Sequence, residues 1–155
     1  MIRITRQTDY GIVLLNHLGM QPDRQFTAQE LADETRLPAP MVSKILKTLS
    51  RAELLVSQRG VKGGYRVARP PEEISVVEVI TAIEGPIGIT ECIDDAAGDC
   101  GIASFCQVRS NWQRINEVIR SALEAVTLAE MGRTPSPSAL VNIERKTDGP
   151  ITAGG

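Results

Sequence analysis

Cys92, Cys100 and Cys106 are the three cysteines of this chain, and they fall within fifteen residues of one another as C-x7-C-x5-C. Three thiolates in one loop make a soft, anionic site of the kind that suits iron–sulfur chemistry or zinc. An odd number of cysteines cannot pair off into disulfides, so a reducing compartment with metal-binding or redox thiols fits better. The spacing lacks the C-x2-C pairs of structural zinc knuckles. Gly98 and Gly101 give the loop the freedom to wrap something larger than a single ion.

The charges around this loop are segregated. From Arg36 to Arg69 the chain carries eight basic residues against one acid, Glu53, whereas Pro70 to Val108 carries eight carboxylates and no lysine or arginine. The net charge of −2 averages over this contrast and says nothing against a polyanion partner. A basic module followed by a thiol cluster suggests a metal-dependent switch attached to something that binds nucleic acid.

The elements that must position these residues follow from periodicity. Tyr10, Val13, Leu14, His17 and Leu18 give the stripe of a first amphipathic helix. Thr27-Ala28-Gln29-Glu30 is a capping box that opens a short second helix running to about Arg36. Pro38 and Pro40 mark a turn, with Pro40 in the first turn of a third helix whose buried stripe is Val42, Ile45, Leu46 and Leu49. Leu54 to Gln58 and Tyr65 to Ala68 read as two strands, with Arg59-Gly60-Val61-Lys62-Gly63-Gly64 supplying positive-φ residues for a tight hairpin. Three helices and a glycine-rich hairpin form a winged helix-turn-helix, and the fold class expected is mainly α with a two-stranded wing.

A second capping box, Ser75-Val76-Val77-Glu78, opens a helix ending at Gly85-Pro86, and the cysteine segment after it reads as loop. Val108, Trp112, Ile115, Ile119, Ala122 and Val126 then alternate spacings of four and three, the seam of a coiled-coil-like dimer helix. The expected organisation is a winged helix-turn-helix domain over 1–71, a linking helix and cysteine loop over 72–107, a dimerisation helix over 108–131, and a disordered tail over 132–155, rich in Gly, Pro, Ser and Thr.

On the third helix Lys44, Lys47 and Arg51 recur at i, i+3 and i+7 opposite the apolar stripe, as a row of cations facing phosphates, while Ser43 and Pro40 are placed to approach base edges. Arg59, Lys62, Gly63, Gly64 and Arg66 extend the row onto the hairpin. A solvated charged face is the plain reading of an isolated row. The row's place on the second helix of a helix-turn-helix, next to a basic wing, turns it into an interface for double-stranded DNA.

The stretches TRQTDYG from Thr5 and RGVKGGYRVARPPEEI from Arg59 resemble the dimeric iron–sulfur winged-helix regulators of the IscR and NsrR type. VVEVITAIEGPIGITEC, ending at Cys92, and NWQRINEVIRSAL from Asn111 are most similar to the branch that regulates SUF-type iron–sulfur cluster assembly. The resemblance covers about residues 1 to 131. It implies a homodimer that binds operator DNA and represses cluster-assembly genes, with an iron–sulfur cluster (2Fe–2S or 4Fe–4S) held by Cys92, Cys100 and Cys106. No histidine follows Cys106, where one branch of the family has its remaining ligand; the NsrR branch implies Asp9 from the second protomer instead. Glu91, Asp94, Asp95 and Asp99 are further candidates, and His17, on the apolar stripe, is expected to be a packed core residue.

Composition bounds the alternatives. With 155 residues, 42% hydrophobic and 3% aromatic, the chain is expected to form one modest, mainly aliphatic core. Asp9, Asn16 and His17 break the apolar run near the start and no small-residue cleavage site follows it, so a cytoplasmic protein is expected rather than a secreted one. No run of about 18 apolar residues predicts a membrane span. No nucleotide loop or nucleophile–base pair points to an enzyme or a small-molecule substrate. A thiol-redox or zinc-dependent regulator on the same fold is the alternative.

Overall fold

The computed structural model describes residues 3–90, 93 and 106–133. Helices α1 (Arg6–Gly19), α2 (Ala28–Thr35) and α3 (Ala39–Arg51) lead into strands β1 (Leu55–Gln58) and β2 (Gly64–Val67), which pair antiparallel with Leu55 opposite Val67 and Gln58 opposite Gly64. A single 3-10 turn at Pro71–Glu73 precedes α4 (Val76–Glu84), and α5 (Arg109–Glu124) and α6 (Leu128–Met131) complete the described chain. The fold is a mainly helical winged helix-turn-helix. Among the described residues no helix is long and apolar enough to cross a membrane.

One core serves all of these elements except most of α5. Leu14, Leu15 and Leu18 of α1 pack with Phe26, Leu31, the α3 stripe, Ile74, Val79 and Leu128, each of them essentially inaccessible to solvent. The α3 stripe is the one read from the sequence: Val42, Ile45, Leu46 and Leu49 are all buried. The α1 stripe is not. Thr8, Gly11, Ile12, Leu14, Leu15 and Leu18 are its buried residues, whereas Val13 is 41% exposed and Tyr10 and His17 are half-buried. This helix is covered by α3, α4 and α6, so its buried arc is centred on the side carrying Thr8 and Leu15, with Leu14 and Leu18 at one edge.

The motif at the start of α1 locks α1 to α4. Thr5 caps the helix, and the buried Thr8 hydroxyl and the Thr5 amide both donate to Glu84 Oε1, at 2.5 and 2.9 Å. Burial opposes ionisation of Glu84, but the hydrogen bonds from Thr8 and Thr5 outweigh it and hold the carboxyl below its ordinary range. A carboxyl whose pKa is depressed on folding adds stability above the unfolded value near 4.5, and that stability is lost as pH falls through the folded value. Urea midpoints at pH 7 and pH 4 are therefore expected to separate for the wild type by more than for Glu84→Gln. Equal separations would remove Glu84 from the linkage.

The chain returns to this core after α5. Ser75 and Thr127 form an antiparallel bridge, with Val76 N donating to Val126 O at 2.9 Å and Leu128 N to Ile74 O at 2.8 Å. Both bridge residues are helix N-caps, each in a reciprocal capping box, Ser75 with Glu78 and Thr127 with Glu130. The helix expected to carry an apolar seam through Val126 is shorter than that. Helix α5 stops at Glu124, and Val126 turns inward beside the wholly buried Leu128.

Candidate nucleic-acid interface and cysteine segment

The helix-turn-helix is built by two local devices. Thr27 and Glu30 cap α2 reciprocally, with Thr27 N donating to Glu30 Oε2 at 2.7 Å and Glu30 N to Thr27 Oγ1 at 3.2 Å. Arg36, in the left-handed region at φ 57°, ends that helix, and Pro38 and Pro40 start α3. At 100° per residue, Pro40, Lys44, Lys47 and Arg51 share an arc of about 60°, diametrically opposite the buried stripe. Pro40, Lys44, Lys47 and Arg51 are exposed and Ser43, beside them, is half-buried.

The wing continues this surface. Arg59, Lys62 and Arg66 are exposed. Among the described residues none of the six cations on α3 and the wing enters an ion pair, whereas Arg24 and Arg69 are committed to Glu34 and Glu78 at 3.0 and 2.5 Å. Unpaired cations on an exposed face are the ones free to neutralise phosphates and release counterions.

The glycines of the wing do two different jobs. Gly60 alone takes a positive φ, 118°, and its carbonyl accepts from Gly63 N at 2.9 Å. Gly63 and Gly64, expected to share that conformation, are instead required by close approach. A Cβ on Gly63 would strike the Gln58 carbonyl, and one on Gly64 would lie 2.6 Å from Phe26 O. The second approach exists because Tyr65 pairs with Phe26 through hydrogen bonds of 2.7 and 3.0 Å, which fasten the wing to the chain between α1 and α2. Gly64→Ala is expected to cost about 1–3 kcal/mol of stability through overpacking against backbone, with duplex affinity falling in step as the wing detaches. Chemical denaturation and a binding titration on the same preparation check this, and an unchanged midpoint would refute it.

Of the thiols, Cys106 is described: it is free and half-buried, it lies two residues before the cap of α5, and its carbonyl accepts from Arg109 N at 3.4 Å. Cys92, Cys100, Glu91, Asp94, Asp95 and Asp99 lie outside the described residues, as does the tail beyond 133. Asp9 is exposed on the first turn of α1, and among the described residues it makes no ion pair. His17, expected in the core, sits at its rim, with Nε2 2.7 Å from Glu34 Oε2 and its ring 5.4 Å from Phe26 in an edge contact. The Arg24 guanidinium lies over the Phe26 ring at 4.0 Å. Glu34 is held below its usual range first by the hydrogen bond from His17, which commits this imidazole.

Helix α5 is largely bare. Val108 at its cap and Trp112, Ile115 and Val118 along it are between 39% and 63% exposed, and Asn116 is its buried residue. The Asn116 amide turns inward, donating from Nδ2 to Ile87 O at 2.9 Å and accepting from Ile89 N at 3.2 Å. Sequence reading passes over this residue, because a polar side chain on an amphipathic helix reads as solvent-facing; only its place between Trp112 and Arg120, on the edge of the apolar arc, hints otherwise.

A family model described as Rrf2, iron-dependent transcriptional regulator, matches residues 4–134. Over 131 residues the chain is 29% identical to slr0846 of Synechocystis, named as a helix-turn-helix-type transcriptional regulator, covering 84% of this chain and 87% of that one. It is 26% identical to the transcriptional regulator NsrR of Shouchella clausii, over 84% of this chain and 88% of that one. The crystal structure of the oxidized form of Staphylococcus aureus CymR matches with a TM-score of 0.63 at 25% identity, over 87% of this chain and 99% of that one.

Proposed function

The chain belongs to the Rrf2 family of transcriptional regulators, and on that footing we propose that it is a cytoplasmic, homodimeric repressor of iron–sulfur cluster assembly genes that senses through an iron–sulfur cluster. Its relatives are regulators and not enzymes, and operator DNA is the partner that the α3 and wing cations fit. Cys92, Cys100 and Cys106 would hold the cluster, with Asp9 of the partner subunit as the remaining ligand. The donor chemistry fits: a free, half-buried Cys106 thiol and an exposed Asp9 carboxylate with no ion pair among the described residues are available, and thiolates are the ligands that iron–sulfur clusters take. When bound, the group supplies a redox- and supply-sensitive link between chain segments.

The observation that carries this reading is the position of Cys106 at the head of α5. The bare apolar row on that helix supports a second copy of the chain as its cover, since an exposed tryptophan and isoleucine on adjacent turns are normally paired. A thiol at the root of a dimer helix is placed to change the distance between two α3 helices, and half-sites about one helical turn apart then accept only one arrangement. The test is anaerobic purification with iron and sulfide counts and a visible spectrum, followed by duplex binding with and without the group. Equal affinity in both states would sink the switch and leave the repressor.

A second reading has its own support in the likeness to CymR, whose matched structure is an oxidized form. In it, the thiols themselves or a zinc ion act as the sensor. One zinc per chain with a featureless visible spectrum would favour it.

A further inference from the structure

We propose that Asn116 is a positioning residue that couples α5 to the cysteine segment, an inference that rests on the sensing role proposed above for the thiols. Among the described residues Thr8 and Asn116 are the buried polar side chains, and Thr8 is accounted for by Glu84. Asn116 spends both edges of its amide on one stretch of backbone, accepting from Ile89 N and donating to Ile87 O. This is how a neighbouring strand would pair with residues 87 and 89, so the side chain acts as a one-residue strand partner. An apolar side chain of similar size would leave a partly buried carbonyl and N–H without these partners.

What makes the clamp more than a satisfied amide is where its backbone partner leads. Residues 87–89 follow directly on the end of α4, whose cap Gly85 takes a positive φ of 95°, and Cys92 lies three residues beyond Ile89. The other end of the cysteine segment, Cys106, is joined to the first turn of α5. Both stems of the segment are thus fixed to the same helix, at Asn116 and at Arg109, about 10 Å apart along its axis at 1.5 Å per residue. An open groove of about 750 Å³ lies between α5 and the α3–α4 body, lined by Ala52, Leu54, Glu78, Asn116, Arg120 and Glu124. With an open groove at its side and Asn116 as its buried residue, α5 takes its orientation from the clamp, from its contact with α4 and from the packing of Leu123 near its far end. A change in how the thiols are held therefore reaches α5 through this amide.

The test uses the full-length wild type, Asn116→Ala and Asn116→Asp, each stripped of metal and each loaded anaerobically with ferrous iron and sulfide, on a duplex selected by the wild type from random sequence. Stripped N116A is expected to bind within about twofold of the stripped wild type, while the ratio of loaded to stripped affinities moves about tenfold toward one. A wild-type ratio in N116A overturns the proposal. If the wild type itself shows no ratio, the cluster reading fails, and the clamp is judged on stripped protein alone. There, amide exchange at Ile89 and alkylation of Cys92 should each run about tenfold faster in N116A, and unchanged rates overturn the proposal. Should the alanine variant not fold, N116D carries the same comparisons. Its carboxylate keeps the bond from Ile89 but repels the Ile87 carbonyl, and protonation restores the missing donor. Its exchange rate relative to wild type should therefore fall toward one in acid, and a flat profile overturns the assignment.

Discussion

Replacing Lys44, Lys47 and Arg51 together by alanine is expected to lower affinity for every duplex by about a hundredfold at moderate salt and to flatten the dependence of log affinity on log salt by about 2.7, near 0.9 for each phosphate that the variant leaves unneutralised. The effect is large because these side chains are exposed and no carboxylate among the described residues neutralises their charge. Stability should hardly change, since the substitutions fall opposite the buried Val42, Ile45, Leu46 and Leu49, and alanine is a better helix former than either residue. Filter binding over a salt series, with a thermal melt as control, separates the outcomes. A triple variant that keeps the wild-type slope would mean that another face holds the DNA. Removing Arg24 or Arg69 instead should leave the slope alone, because each is already paired with glutamate.

Cys106→Ala is expected to abolish iron retention and visible absorbance under anaerobic purification, with duplex binding left at the level of the stripped wild type. Loss of one thiolate of three removes a covalent-strength ligand, which neighbouring carboxylates replace poorly for a soft centre. The substitution should be benign for the fold itself, because Cys106 is half-buried ahead of α5 and contributes little apolar area to the core. Colour and regulation lost together would support sensing; colour lost with regulation intact would make the group structural. Full iron retention in the variant would refute the assignment of this residue.

The parts of the molecule legible in the sequence are those with redundant signals. Helix α3 combines a complete apolar stripe, a proline in its first turn and a basic opposite face. The capping boxes at Thr27 and Ser75 fix two helix starts to within a residue. The α1 stripe misleads because Tyr10, Val13 and His17 sit at helical spacing from Leu14 and Leu18. The core nevertheless covers the face carrying Thr8 and Gly11, small residues that let α4 approach until a Cβ on Gly11 would stand 2.5 Å from Ile83. Periodicity finds large apolar residues and overlooks small ones used for close packing. The third capping box, Thr127 with Glu130, is present in the letters but hidden by Val126, which continues the α5 spacing past the true end of the helix. Asn116 is invisible for a different reason: its partners lie 27 and 29 residues away, and only tertiary structure brings them to it.

The bridge between Ser75 and Thr127 also has a consequence for how the protein folds. It closes a loop of roughly fifty residues, and the entropy of closing such a loop rises with the logarithm of its free length, so halving that length recovers about 0.6 kcal/mol. Leu128 and α6 can fill their place against α1 only once this loop is shut. A metal or cluster tying Cys92 to Cys106 would cross-link this loop, shorten its effective length and favour docking of α6. The DNA-reading body would then be linked to the state of the thiols by chain statistics, and a higher melting temperature for loaded than for stripped protein is the expected result, even where no helix changes direction.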